Sequence, residues 1–223
     1  MFRIQRFLRV AALSLLVAGC EAERATQPPA PVVPPSSAAD LVRQFEQAYR
    51  ARDYNAFASI LSGEAGAEYL FIHEPSSPGD HQWGRAEELR IHQRMFRPQD
   101  IPRGERPLNP DLWLVSIDIS LAPQGAFTEA PGFYRSDANP DGLDPAVWRA
   151  SEAVYNTDVL FDTQGERDYQ VTGRESFVVI ENLAKNIGDA GKFLMYRWED
   201  LGTRRSLLAV QGSSWGAVKI LYK

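Results

Sequence analysis

Apolar residues recur at helical spacing from Ala38 to Ala51, where Leu41, Phe45, Ala48 and Tyr49 share one face. That spacing predicts a helix, with Ser37 placed to cap it because a serine hydroxyl can accept from a free N–H of the first turn. Asp53 opens a second helix carrying Phe57, Ile60 and Leu61, and Gly63 and Gly66 end it. Glu68 to His73 is short and rich in apolar residues and reads as a strand, broken by Pro75, Pro78 and Gly79. Gly84 to Phe96 reads as a third helix with Leu89, His92 and Phe96 nearly in line, stopped at Pro98.

The period then changes from helical to twofold. Between Leu112 and Leu121, Leu112, Leu114, Ser116, Asp118 and Ser120 fall on one side, and Trp113, Val115, Ile117, Ile119 and Leu121 on the other. The second side is far more apolar and is read as the core. Further strands are predicted over Val154–Asp162, Tyr169–Leu183, Lys192–Leu201 and Ser214–Tyr222, with a hairpin turn at Gln164-Gly165 and a bulge at Gly173. Strands with one apolar face must cover it, and the preceding helices are the available cover. The expected fold class is therefore α+β, a cone-shaped curved antiparallel sheet wrapped over N-terminal helices.

Ahead of this region the chain changes character. Arg3, Arg6 and Arg9 precede the uncharged stretch Val10–Gly19, whose ten residues are too few to span a bilayer core of about 30 Å. The pattern is that of a signal peptide. It ends Leu16-Val17-Ala18-Gly19-Cys20, which resembles the bacterial lipobox. The resemblance implies that Cys20 takes a diacylglyceryl group on its thiol and becomes the first residue of the mature chain. Glu21 in the next position leans the expected location to the outer membrane, facing the periplasm. Glu21 to Ser37 holds Pro28, Pro29, Pro31, Pro34 and Pro35, so it reads as an extended tether able to reach roughly 50 Å. The expected organisation is residues 1–19 as signal, 20–37 as lipidated cysteine and tether, and 38–223 as one α+β domain.

The helix pair Asp40–Leu61 carries L-x3-F-x3-Y and then D-x3-F-x2-I-L. Near the end stand Phe193-Leu-Met-Tyr-Arg-Trp198-Glu-Asp200 and Ser214-Trp215-Gly216-Ala-Val-Lys219. Together these look like the nuclear transport factor 2-like (NTF2-like) superfamily, with its SnoaL-like and ketosteroid-isomerase-like members, over residues 38–223. The segments 97–111 and 122–149 depart from compact members. The superfamily includes isomerases, dehydratases and plain binding domains, so the fold leaves function open. In ketosteroid-isomerase-like members an acid inside the cone abstracts a proton. No matching motif aligns here, and no catalytic residue is carried over. Relatives often dimerise through the exposed side of the sheet.

Composition narrows the chemistry. The 223 residues hold Lys+Arg 24 against Asp+Glu 29, a net charge of −5. Removing the three signal arginines leaves 21 bases against 29 acids, a net −8, which argues against a general nucleic-acid binder. The single cysteine excludes an internal disulfide framework and any Cys-rich metal cluster. No motif calls for a cofactor. His73, Glu74, His81 and His92 could move protons or bind a metal, but their spacing matches no zinc signature. His92 reads as a buried, hydrogen-bonded ring. The core reading of the 112–121 strand turns Asp118 to water. Were its side to line the cone, Asp118 in an apolar pocket would have a raised pKa and act as a base. Asp158 and Glu175 carry the same two readings.

Asp137, Asn139 and Asp141, followed by Gly142, match the first half of a calcium loop. The match stops at Trp148, where a glutamate is expected, and Asn-Pro-Asp-Gly is also an ordinary turn sequence. Residues 122–149, with Phe127, Phe133, Tyr134, Trp148 and four prolines, are long for an unstructured loop and are expected to fold over one mouth of the cone. A surface insertion is the other reading. The arginines from Arg85 to Arg106 are diluted by acids and read as a solvated face. The leading functional expectation is a lipid-anchored envelope protein that binds a small apolar ligand or a protein partner. The alternatives are an isomerase- or hydratase-type enzyme using an acid or His73 inside the cone, and a dimerising structural subunit.

Overall fold

The computed structural model describes residues 33–73, 81–104, 112–165, 168–184, 191–202 and 215–223. Cys20, Glu74, Arg106 and the tether up to residue 32 lie outside the described residues. Pro34–Lys223 is one compact unit.

Two short helices open it. Helix α1 (Ala38–Ala51) begins at Ser37, whose Oγ accepts from Asp40 N at 3.1 Å, and buries Leu41, Val42, Phe45, Ala48 and Tyr49. It ends at Arg52, which takes a left-handed conformation (φ 51°). Helix α2 (Tyr54–Ile60) is capped by Asp53, whose Oδ1 accepts from Asn55 and Ala56 N at 3.0 Å. Strands β1 (Gly63–Glu64) and β2 (Ala67–Glu68) form a small hairpin turning at Gly66, φ +73°. The expected early strand is thus split: its second half is β3 (Leu70–Ile72), which pairs with β4 (Gln82–Gly84). Helix α3 (Arg85–Phe96) follows, and Pro98–Asp100 continue as one 3-10 turn.

The main sheet uses β5 (Leu114–Pro123), β6 (Thr128–Glu129), β7 (Trp148–Thr163), β8 (Tyr169–Asn182) and β9 (Phe193–Asp200). Its order is β4-β3-β9-β8-β7-β5, with β6 also on β7. The path runs from one free edge to another, so the curved sheet is not closed into a barrel. All of its pairs are antiparallel except β3 with β9. Among the described residues no helix is long and apolar enough to cross a membrane.

Three expectations are corrected. Ser214–Tyr222 is not a strand: Trp215–Ile220 is helix α4. The β7–β8 ladder runs straight through Gly173, which pairs with Thr157, and the bulge lies instead between Val178 and Val179 opposite β9. In β5 a register shift between Leu114 and Ser116 rotates the strand. Leu114 is therefore buried with Ile117 and Ile119, while Val115 is 49% exposed.

The long hairpin β7–β8 carries two cores, one on each face. On the face towards the helices, Ala153, Tyr155, Val159, Phe161, Val171, Phe177 and Val179 join Phe45, Tyr49 and Phe57. On the opposite face, Trp148, Ala150, Val178, Ile180 and Leu194 pack against Ala130, Leu143, Phe133 and Tyr134. Residues 130–147 therefore wrap one end of the outer face, where a cover for a mouth of the cone was expected. Only Phe127 reaches the rim of the inner face, 6.2 Å from the Tyr155 ring.

Candidate functional site

The interior between helices and sheet is aromatic, and ionisable groups are threaded through it. Helix α1 supplies Phe45 and Tyr49, α2 Phe57, β3 Phe71 with Tyr69 just before it, β9 Trp198 and α4 Trp215, all with 0–1% exposure. Their rings touch edge to face, as Phe45 with Trp198 at 5.0 Å and Trp198 with Trp215 at 5.0 Å. Such packing favours the ring quadrupoles beyond the area buried.

Glu88 and Lys219 are the charged centre. Glu88 lies on the buried face of α3 with Ile91, His92 and Met95. Lys219 Nζ donates to Glu88 Oε1 at 2.6 Å, and both side chains have no exposure. Trp83 Nε1 donates to Glu88 Oε2 at 2.5 Å. The Lys219 ammonium also stands 3.5 Å from the Phe71 ring centre, 3.4 Å from that of Trp198 and 5.9 Å from that of Trp83. Ring faces attract cations, and most strongly where water is absent. Burial lowers the Lys219 pKa to about 8, with Glu88 opposing the fall.

The groups around this pair are fixed by one another. The His92 ring stacks on Phe57 at 3.9 Å. Its Nδ1 faces the Glu88 backbone carbonyl at 2.8 Å, so Nδ1 carries the proton and Nε2 accepts from the Tyr49 hydroxyl. Burial, and after it the Lys219 charge, hold the His92 pKa well below the ordinary value, so the ring is neutral. On β8, Glu175 Oε2 accepts from Trp198 Nε1 at 2.6 Å, while Oε1 is buried and makes no hydrogen bond among the described residues. Burial first, then the Asp200 charge, raise its pKa well above the carboxylate range. Asp200 accepts from Gly202 N at 2.9 Å and Gly216 N at 3.0 Å, which ties α4 to the end of β9. The last residues are tied too: Arg94 Nη1 donates to the Tyr222 and Lys223 carbonyls, and Tyr222 Oη donates to Leu112 O at 2.6 Å.

The residues singled out in the sequence divide around this centre. His92 is inside the network, buried and hydrogen-bonded as read. His73 is fully buried beneath α4, where a Cβ on Gly216 would lie 2.5 Å from His73 Cβ. The His73 and His81 rings stand 5.3 Å apart. Asp118 faces outward, opposite Leu160. Asp158 is also on the outer face, bonded to Gln170 at 3.1 Å. It helps line a shallow depression of about 290 Å³ with Ser120, Asn156 and Thr172.

Asn139 directs its amide nitrogen to the Gly132 and Tyr134 carbonyls, both at 3.4 Å. Its neighbours Asp137 and Asp141 are exposed. Gly142 is required by close approach, since a Cβ there would sit 2.6 Å from the Tyr134 carbonyl carbon. Among the described residues no group of three or more His, Cys, Asp or Glu is placed to hold a metal ion. The arginines of α3 serve the fold individually: Arg85 donates to Ala58 O and Leu61 O, and Arg90 pairs with Glu87.

Glu88, Lys219 and Asp200 were not singled out in the sequence. A signal for the first two existed. Glu88, Ile91, His92 and Met95 share a helical stripe, as do Trp215, Val218, Lys219 and Tyr222. A charged residue inside such a stripe marks a buried charge.

No protein-family model matches the chain, and no curated protein matches it. Solved structures do resemble it in layout. A conserved protein from Planctomyces limnophilus aligns with a TM-score of 0.45 at 10% identity, over 73% of this chain and 90% of that one. An NTF2-like superfamily protein from Salmonella enterica aligns with 0.39 at 12%, over 78% and 93%. An NTF2-like protein of unknown function from Shewanella oneidensis aligns with 0.37 at 14%, over 72% and 93%.

Proposed function

We propose that the chain is a lipid-anchored binding module of the bacterial cell envelope, in which an NTF2-like α+β unit receives a small ligand or a partner segment between its helices and sheet. Cys20 carries the lipid, and residues 20–37 hold the unit off the outer membrane on its periplasmic side. The observation that favours binding over turnover is the state of the interior. Its charged groups are engaged by the chain itself: Glu88 by Lys219 and Trp83, and Asp200 by the backbone of α4. A catalytic site needs polar groups converging on space for a reacting atom. Here the polar groups converge on Lys219.

Two measurements test this. Native mass spectrometry of the chain purified from an envelope extract is expected to retain a non-covalent small molecule or a partner. Repeated recovery of the bare chain overturns the binding role. Cys20→Ser is expected to go unlipidated and leave the membrane fraction, and a variant still lipidated and membrane-bound overturns the anchor. One observation favours a second reading, an isomerase- or hydratase-type enzyme. Glu175 is an acid inside the interior with one oxygen that makes no hydrogen bond among the described residues and a raised pKa, and such a group suits general acid–base work. Under that reading Glu175→Gln abolishes turnover while ligand retention persists.

A further inference from the structure

Lys219 is an unusual occupant for the middle of a protein. Its ammonium is held by one carboxylate and two close aromatic faces, with a third ring beyond. That is the chemistry by which proteins recognise organic cations: ring quadrupoles and a negative charge replace the water the cation leaves behind. The cage does not depend on Lys219 for its shape. Trp83 Nε1 holds Glu88 Oε2, Glu175 holds Trp198 Nε1, and Phe71 packs against Trp83 at 4.6 Å and against Trp198 at 5.0 Å. Beside Glu88, the buried carboxylate Asp200 adds negative charge around the one buried lysine among the described residues, while Glu175, its pKa raised by burial, is uncharged. The element that delivers Lys219 is a single helix of six residues, roped to the rest through Asp200, Arg94 and Leu112.

We propose that the cage of Phe71, Trp83, Glu88 and Trp198 is a binding site for a primary organic ammonium ion, which Lys219 occupies while α4 is docked and from which a ligand displaces it. The proposal rests on the reading of the interior as a binding site and adds the class of ligand. The distances set that class. Ring centres at 3.4 and 3.5 Å from the nitrogen leave no room for N-methyl groups, so the fit is to R–CH2–NH3+ and excludes trimethylammonium. The buried methylene stem of Lys219 marks the path for an unbranched alkyl chain. Displacement of α4 also carries Trp215 and Tyr222 out of the core, so the helix reports occupancy at the surface.

The test uses the full chain and small amines. Lys219→Ala removes three carbons and the nitrogen, a void the shape of n-propylammonium. The variant is expected to melt lower than wild type. Millimolar n-propylammonium is expected to restore about half or more of that loss, as a ligand bound only by the folded state must. Tetramethylammonium and n-propanol at equal concentration are expected to restore none. Rescue by propanol as well as by propylammonium overturns the ammonium assignment, because the void is then filled by any apolar stem.

Should Lys219→Ala not fold, wild type supplies the answer by hydrogen exchange. Propylammonium is expected to speed exchange across residues 215–223 and propanol is not. Unchanged exchange in saturating amine overturns the proposal. The broader binding role fails separately. A neutral molecule retained in native mass spectrometry, with no amine effect, removes the ammonium ligand and leaves the module. A bare chain, with amine rescue of Lys219→Ala but unchanged exchange in wild type, overturns both, because the void is then filled by amine while the natural cage admits none.

Discussion

At the residue scale, Glu175 ties the acid–base state of the interior to stability. A glutamic acid with a raised native pKa binds more protons folded than unfolded once pH exceeds the unfolded value of 4.5. The folded state therefore loses stability as pH rises from there towards the native pKa. Glu175→Gln keeps the shape and the acceptor for Trp198 but has no proton to lose. At pH 7 the variant is expected to melt above wild type, and the advantage should vanish as pH falls below about 4.5. A pH-independent difference in melting temperature would contradict it.

Lys219 has the opposite sign. Its native pKa of about 8 lies below the ordinary 10.5, so the cost of burying the ammonium is fully present below pH 8 and is relieved between about 8 and 10.5. Wild type is therefore expected to gain stability relative to Lys219→Met across that window in paired denaturant titrations. At Gly216 the limit is steric. A Cβ there meets His73 Cβ at 2.5 Å and Cγ at 2.7 Å, and Gly216→Ala is expected to cost about 1–3 kcal/mol in urea unfolding despite its better helix propensity.

At the scale of elements, the free edge of β5 is guarded by side chains of the first helix and its cap. Arg50 Nε and Nη2 donate to Ile119 O at 3.0 and 2.5 Å, and Arg52 Nη1 donates to Leu114 O at 2.5 Å. An edge with free carbonyls invites pairing with another chain. Arg50→Ala and Arg52→Ala are each expected to lose about 1 kcal/mol and to raise light scattering on warming. Unaltered scattering and unfolding midpoints would show that the guanidinium groups do not guard the edge.

The same elements show what the sequence made legible. Helix α1 follows its stripe because the stripe positions Leu41, Phe45, Ala48 and Tyr49 are all buried. The β5 alternation is broken by a register shift that no residue type advertises, so Val115 and Leu114 exchange places. Helix α4 reads as a strand because Trp, Val, Ile and Tyr favour extended chain, and the lysine in its buried stripe hides the helical period. The candidate site shares that cause. Glu88 and Lys219 occupy apolar positions as charges, and only the third dimension shows that they neutralise each other. Asp118 is exposed, because the apolar side of its strand, Ile117 and Ile119, meets the helices.

At the scale of the molecule, the sheet is a partition with a different cover on each side. The helices cover its inner face along most of its length, and residues 130–147 cover its outer face at one end only. This is why β7 begins at Trp148, six residues before the alternation predicts. Trp148 and Ala150 point outward and Ala153 and Tyr155 inward, and all four are buried. The two cores are separated by the thickness of one sheet, so the outer cover should stabilise the hairpin without shaping the interior. Leu143 is fully buried in the outer core, and Leu143→Ala is expected to cost about 2–4 kcal/mol. Removing residues 130–142, which keeps Phe127 and β6, should go further, exposing Val178, Ile180 and Leu194, lowering the melting temperature and producing binding of a hydrophobic dye. In both variants the environment of the Trp198 indole N–H, followed by NMR, should stay that of wild type, because Glu175 and the helix-side rings that set it are untouched. A shifted Trp198 resonance would show that the insert acts through the sheet on the interior, and the two covers would then have to be treated as one coupled device.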